Sequence, residues 1–458
     1  MIPTERRYDI DWLRVITIGL LLIYHIAIAF QPWGVFIGFL QNDHALEWLW
    51  IPMAMLNVWR IPLLFFVSGM GVRFALRKRT GTQLLVERTR RILVPFLFGM
   101  FFIVPIHLVI WQKYYNQDLR YIPGPGHLWF LAYIFIYVIV LLPLFLYLRK
   151  NENGIVNRWF KRRFQKPLGL LIIPMAFVTE ALVLKPETYE LYAMTVHGFL
   201  LGLLAFLFGY LGVQSGRAFW QTLLKWRWLY LSLALVMYSI RLVLFDLNAP
   251  GFLMAIESNL WIFSVFGFAY RYLNHPGKIL KYLSQAAYPV YIIHMIFLYF
   301  GSCIIFPLMI PVFLKFVLVI ILTGTGCFAT YELLIRRMSV LRPLFGLKRL
   351  EKEPSENQKN MAVKQYKPHL LGKAILMISL LLAINVGCRV DLTGPYTYQP
   401  PKDAKDGLNA GSTDEVNIDQ TYLSGLVNEI HDGKIFFLRI LNGGRLGMEK
   451  PLILYPVI

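Results

Sequence analysis

Apolar runs of about twenty residues recur along the first 350 positions, parted by short polar segments, and a helix of about that length crosses the hydrocarbon core of a bilayer. Ten such runs are predicted as spans: Ile10 to Phe30, Trp48 to Met70, Ile92 to Trp111, Leu128 to Leu148, Leu168 to Leu184, Met194 to Val213, Trp228 to Phe245, Phe252 to Tyr270, Ala287 to Pro307 and Val312 to Leu334. The pattern predicts an all-α, polytopic membrane protein. Composition agrees: 57% of residues are hydrophobic and 16% charged, against about a quarter charged in a soluble domain.

The charge is +20, from 46 Lys and Arg against 26 Asp and Glu. Such a balance invites nucleic acid as a partner, but the positions of the cations argue otherwise. Arg73, Arg77, Lys78, Arg79, Arg88, Arg90 and Arg91 fall between spans two and three, and a second basic group, Arg149 to Lys166, between spans four and five. The segment Gln31 to Glu47 has no Lys or Arg, and Tyr114 to Gly126 has only Arg120. By the positive-inside rule the basic connections are cytoplasmic. An even number of spans then puts both ends of the bundle, Arg6 and Arg7 at one and Arg336, Arg337 and Arg342 at the other, in the cytoplasm. The cations are orientation signals, and no nucleic acid is expected. Three cysteines, Cys303, Cys327 and Cys388, form no disulfide framework, and no Cys/His spacing fits a metal.

Charged and polar groups within the spans carry the candidate chemistry, because each is costly to insert. In YDIDWLRVITIGLLLIYHIAIAF, Arg14 and His25 are eleven residues apart, ~20° past three full helical turns, so they share one face ~16 Å apart along the axis. Arg14 snorkelling to headgroups with His25 in an interhelical hydrogen bond is one reading. The other is a path from a cation at the inner surface to a deep general base, the role of a neutral imidazole. Arg60, midway along span two, needs an anionic partner or a wet cavity around it: a structural ion pair with Glu257 or Glu332 is one reading, a cation for a substrate carboxylate or oxyanion the other. Pro62 frees a carbonyl beside it, and Ser68 and Gly69 suit close helix packing. Arg88 and Arg91 in ERTRRILVP share a helix face one turn before span three, as topology signals or as a phosphate clamp. His127 beside Trp129 reads as an aromatic-belt anchor, and His294 as an interhelical histidine. His44, His107 and His197 lack comparable context.

Together these segments resemble the membrane acyltransferase 3 family, and within it the bacterial enzymes that decorate osmoregulated periplasmic glucans. Arg14 and His25 match its Arg-x10-His signature, Arg88 and Arg91 its Arg-x-x-Arg, and RIPLLFFVSG its FFxxSG segment. Arg60 corresponds to an arginine of the glucan-modifying branch. GHLWFL, AAYPVYIIH and YELLIRRMSVLRPLFGLK are also similar. The resemblance implies a multi-pass enzyme of the bacterial inner membrane. It would transfer an acyl group, such as succinyl, from cytoplasmic acyl-CoA to a hydroxyl of an envelope glycan, with no bound cofactor. His25 would be the catalytic base, with Arg14 and Arg60 assisting. Arg88 and Arg91 would bind the donor, and His127, Trp129, His294 and Glu332 would take acceptor-side or structural roles. A transporter of a glycan or small anion would use the same intramembrane charges.

After residue 350 the composition changes. Residues 351–373 read as a polar linker and basic region. Residues 374–388, ending at Gly387-Cys388, resemble a lipoprotein signal or an eleventh span. Within the tail, residues 389–458, Tyr398 to Leu446 resembles the truncated lead-in of a serine hydrolase, but no Ser-x-x-Lys nucleophile occurs between Met361 and Ile458. No hydrolase activity and little order are expected of this tail.

Overall fold

The structure, a computed structural model, describes residues 6–349 and the backbone of 440–442 and 445–448. The linker, the signal-like segment and nearly all of the tail lie outside the described residues. Ile440–Asn442 and Arg445–Met448 form a short antiparallel pair.

Ten helices are long and apolar enough to cross a membrane: Tyr8–Ile28, Glu47–Leu76, Gly81–Tyr114, Gly126–Lys150, Pro167–Leu184, Val196–Gln214, Arg217–Phe245, Gly251–Tyr272, Lys278–Ile305 and Val312–Ile335. The expected spans are present in order, but several begin earlier than their apolar runs. Span three starts at Gly81, so Arg88 and Arg91 lie within its helix and not one turn before it. Spans seven and nine start at Arg217 and Lys278, because a helix continues through the headgroup zone after its apolar stretch has ended.

Span two is central and packs on spans one, six and eight. Its crossing with span six is close because both helices present glycine. A side-chain carbon at Gly69 would strike the carbonyl of Phe206, and one at Gly209 the carbonyl of Phe66. Ser68 instead bonds the Leu64 carbonyl of its own helix, at 2.7 Å. Pro62 does not break span two. The Val58 carbonyl that it leaves without a helical partner accepts Tyr192 Oη at 3.2 Å, from the segment between spans five and six.

Span three handles its prolines differently. The π-helical turns Thr89–Leu93 and Gly99–Ile103 precede the helices that begin around Pro95 and Pro105. A widened turn accommodates the missing N–H and the ring. The Phe101 carbonyl, four residues before Pro105, accepts Tyr121 Oη at 2.8 Å.

Candidate functional site

At the end of the bundle that carries the basic connections, spans one, two, three, four and nine surround a cavity of about 860 Å³. Its mouth is cationic, with Arg6, Arg14, Arg77, Arg79, Arg88 and Arg91 from the spans and their connections, and Arg342 and Lys348 from the segment after span ten. Its depth is apolar, formed by Ile18, Leu64, Val67, Phe130, Leu131 and Ile134, with Tyr291 among them. Burial at the mouth lowers the guanidinium pKa of Arg77, and neighbouring Arg73 adds to the effect.

Three expected residues meet in this cavity. Arg14 is 40% exposed and holds Asp11 only loosely, at 3.9 Å. Arg88 donates from Nη2 to the Gly71 carbonyl at 3.4 Å, and Arg91 reaches Glu87 at 3.3 Å. Gly71 lines the same wall, where a Cβ would make only an ordinary contact with Arg14 Nη2, at 3.9 Å. Glu87 stands among Arg79, Arg88 and Arg91, one carboxylate among three cations, so the site retains positive charge for an anionic ligand. Residues 341–348 close one side. Gly346, at φ +71°, folds against Tyr288 and the Arg91 carbonyl, which a side chain would strike.

His25 does not line the cavity. It belongs to a cluster of four imidazoles just beyond the cavity's inner end, so the Arg14–His25 face leads from one compartment to another and is not one continuous wall. His25 Nδ1 is 2.9 Å from His294 Nε2, and the two rings stack at 5.1 Å. His127 packs edge-on to His294 at 4.9 Å, and His107 edge-on to His127 at 5.6 Å. Tyr291 joins the compartments: its ring lines the cavity and its Oη donates to the His127 carbonyl at 2.5 Å, while its own carbonyl accepts His294 Nδ1 at 2.6 Å.

His127 is therefore no aromatic-belt anchor. Its ring turns inward, and Nε2 donates to the Ile292 carbonyl at 3.1 Å. Trp129 packs on Tyr133 and Phe65 instead. His107 was missed by sequence reasoning, although a histidine within the apolar run VPIHLVIW is the same signal that singled out His294.

Neither expected partner holds Arg60. Glu257 is bound by Arg241 at 2.7 and 3.0 Å, and Glu332 by Arg336 at 2.8 Å and Tyr282 at 3.4 Å, away from the histidines. Arg60 is 2% exposed, and its guanidinium stands 3.8 Å over the ring of Tyr24, next in sequence to His25. Among the described residues, its Nε and Nη1 find no hydrogen-bond partner. Cation–π attraction compensates for part of the lost hydration, but two buried donors remain unsatisfied.

His197 is likewise placed by the fold. It bridges Glu180 and the Tyr189 carbonyl at 2.8 Å each, next to the Arg241 network. Among the described residues, no group of His, Cys, Asp and Glu is disposed to hold a metal.

No curated protein and no solved structure matches the chain. A family model described as an acyltransferase domain does match, over residues 7–332, from the start of span one to the last turns of span ten. Basic cavity and histidine cluster lie almost wholly within the matched residues, and the chain belongs to the acyltransferase 3 family, as a multi-pass membrane acyltransferase.

Proposed function

We propose that this acyltransferase works in a bacterial inner membrane with its N-terminus in the cytoplasm, moving an acyl group from cytoplasmic acyl-CoA to a hydroxyl of an envelope glycan. The observation that carries the reading is the cavity itself, cationic at its mouth and apolar in its depth, ending beside a cluster of imidazoles. A donor with several phosphates on a slender arm has that same distribution of charge. Arg88, Arg91 and Arg14 hold the phosphates through charge-assisted hydrogen bonds, and the arm runs inward past Ile18 and Leu64. The thioester reaches the histidines at the Tyr291 boundary. That step requires the Tyr291 ring to turn aside.

His25 accepts the proton of the acceptor hydroxyl as its oxygen attacks the thioester carbonyl. The new C–O bond forms, the C–S bond breaks, and the thiolate leaves with the proton that His25 returns. General-base assistance of this kind contributes about 10² to 10⁴-fold. Arg60, buried beside Tyr24 with two unsatisfied donors, receives the distal carboxylate of a dicarboxylic acyl group such as succinyl. Resemblance to the glucan-modifying branch supports both the acceptor class and the acyl group.

Mass spectrometry of envelope glycans with and without the protein tests the reading, since the added mass names the acyl group. With purified protein, His25→Ala is expected to lose about 10² to 10⁴-fold in transfer, and Arg60→Ala to lose its preference for succinyl over acetyl donor. Undiminished transfer by the first variant removes His25 as base. Retained preference in the second removes the carboxylate from Arg60.

A further inference from the structure

Resting on His25 as the general base, we infer that His294 is a positioning residue that sets the tautomer of His25 and so decides which of its ring nitrogens can take a proton. The argument begins at a backbone carbonyl. Tyr291 O and His294 Nδ1 are 2.6 Å apart, and a carbonyl oxygen can only accept. The hydrogen of neutral His294 is therefore on Nδ1, and its Nε2 presents a lone pair. His25 Nδ1 stands 2.9 Å from that lone pair. Two lone pairs facing at this distance would repel, so His25 carries its hydrogen on Nδ1 and donates it. His25 Nε2 is left bare, which is the state a base needs.

Free imidazole side chains prefer the opposite tautomer, with hydrogen on Nε2, which would present a donor where an acceptor is required. The surroundings of His294 fix the choice. It is fully buried in span nine, its ring lies 17° from parallel to that of His25, and His127 closes its other side. The contact also strengthens along the reaction. Once His25 takes a proton on Nε2, its Nδ1–H donates from an imidazolium, and such charge-assisted hydrogen bonds are about twice as strong as neutral ones. An interaction gained only as charge develops acts on kcat and not on substrate binding.

Nitrogen spectroscopy of 15N-histidine-labelled protein in bilayers tests this directly, with the His25 signals identified by their loss in His25→Ala. In the wild-type protein His25 is expected with Nδ1 protonated and Nε2 bare; a proton on Nε2 overturns the inference. His294→Phe is expected to move that proton to Nε2 and to lower kcat by about 10² or more, a mis-set tautomer of a catalytic histidine costing up to about 10⁴, while KM for donor and acceptor changes little. His294→Gln, whose amide oxygen reaches the place of Nε2, is expected to recover at least about tenfold of the loss. Wild-type kcat in His294→Phe, or no recovery in a folded His294→Gln, overturns the assignment. An active His25→Ala would instead remove the base itself, and an inactive His25→Ala with an active His294→Phe removes only the role of His294. Should His294→Phe fail to fold, the wild-type spectrum still decides.

Discussion

Arg60 and Arg241 are both buried arginines in membrane helices, and their surroundings have opposite outcomes. Arg241, 1% exposed, spends its donors on both oxygens of Glu257, on Glu190 at 3.4 Å, and on the carbonyls of Ala54 and Leu247. Arg60 has an aromatic ring and two unused donors. Burial is thus the same in both, and satisfaction is what separates them. A completed network has nothing left for a ligand and ties spans two, seven and eight together, whereas an incomplete one keeps donors free for the anion proposed above.

The largest expected effect distinguishes the two directly. Arg241→Met strands Glu257 in the interior and is expected to cost about 3 to 5 kcal/mol of stability, read by thermal unfolding in detergent. Arg60→Met, which strands no carboxylate, should melt near the wild type. Equal losses would erase the distinction.

The next effect concerns the edge of the Arg241 network. Burial raises the Glu190 carboxyl to about 7 from its ordinary 4.5, against the opposing pull of Arg241. Between these values the folded protein keeps a proton that the unfolded chain has released, so stability falls as pH rises from about 4.5 to about 7 and levels off above. The slope is on the order of 1 kcal/mol per pH unit. Glu190→Gln should flatten that part of a melting-temperature profile, and a profile with the same slope would show that Glu190 ionises normally.

At the cavity the arginines are incomplete in a looser way, sharing Glu87 and facing water. Arg88→Ala is expected to raise KM for the donor about tenfold, the worth of one hydrogen bond to a charged group. Arg91, 43% exposed, should matter less and lose its effect at high salt. Steady-state kinetics over a salt series would expose the reverse order. The smallest effect is expected for Tyr192→Phe, which leaves the Val58 carbonyl unpaired beside Pro62 and costs about 1 kcal/mol; an unchanged melt would mean that the carbonyl finds another donor.

Much of this architecture is legible in the sequence, because the apolar runs that satisfy a bilayer are local and countable. Helix starts at Gly81, Arg217 and Lys278 are not, since an apolar run marks the hydrocarbon and the helix extends beyond it. Arg88 and Arg91 face one cavity as their spacing implies, and the packing of the spans brings Arg14 to them. Partner choice is harder to read, because tertiary packing makes it. Even so, two signals were available: Arg336 is four residues from Glu332, the spacing of a helical ion pair, and Arg241 and Glu257 flank a short turn at similar depths of adjacent antiparallel spans. Both point to carboxylates already occupied and leave Arg60 without either. The joining of His25 to His294, 269 residues apart, has no local trace.

The two π-helical turns of span three have a consequence for indexing. Each fits one residue more into a turn, so each resets the helix by about 100° relative to an uninterrupted α-helix. The first separates Arg88 from all that follows. The second begins at Gly99, whose missing side chain gives Leu128 its place at the start of span four. Removing one residue from Thr89–Leu93 would leave every residue chemically suitable and swing Arg88 a quarter-turn or more away from the cavity. Span three therefore behaves as a rod with two angular settings, one for the arginines at the mouth and one for the helices around the histidines.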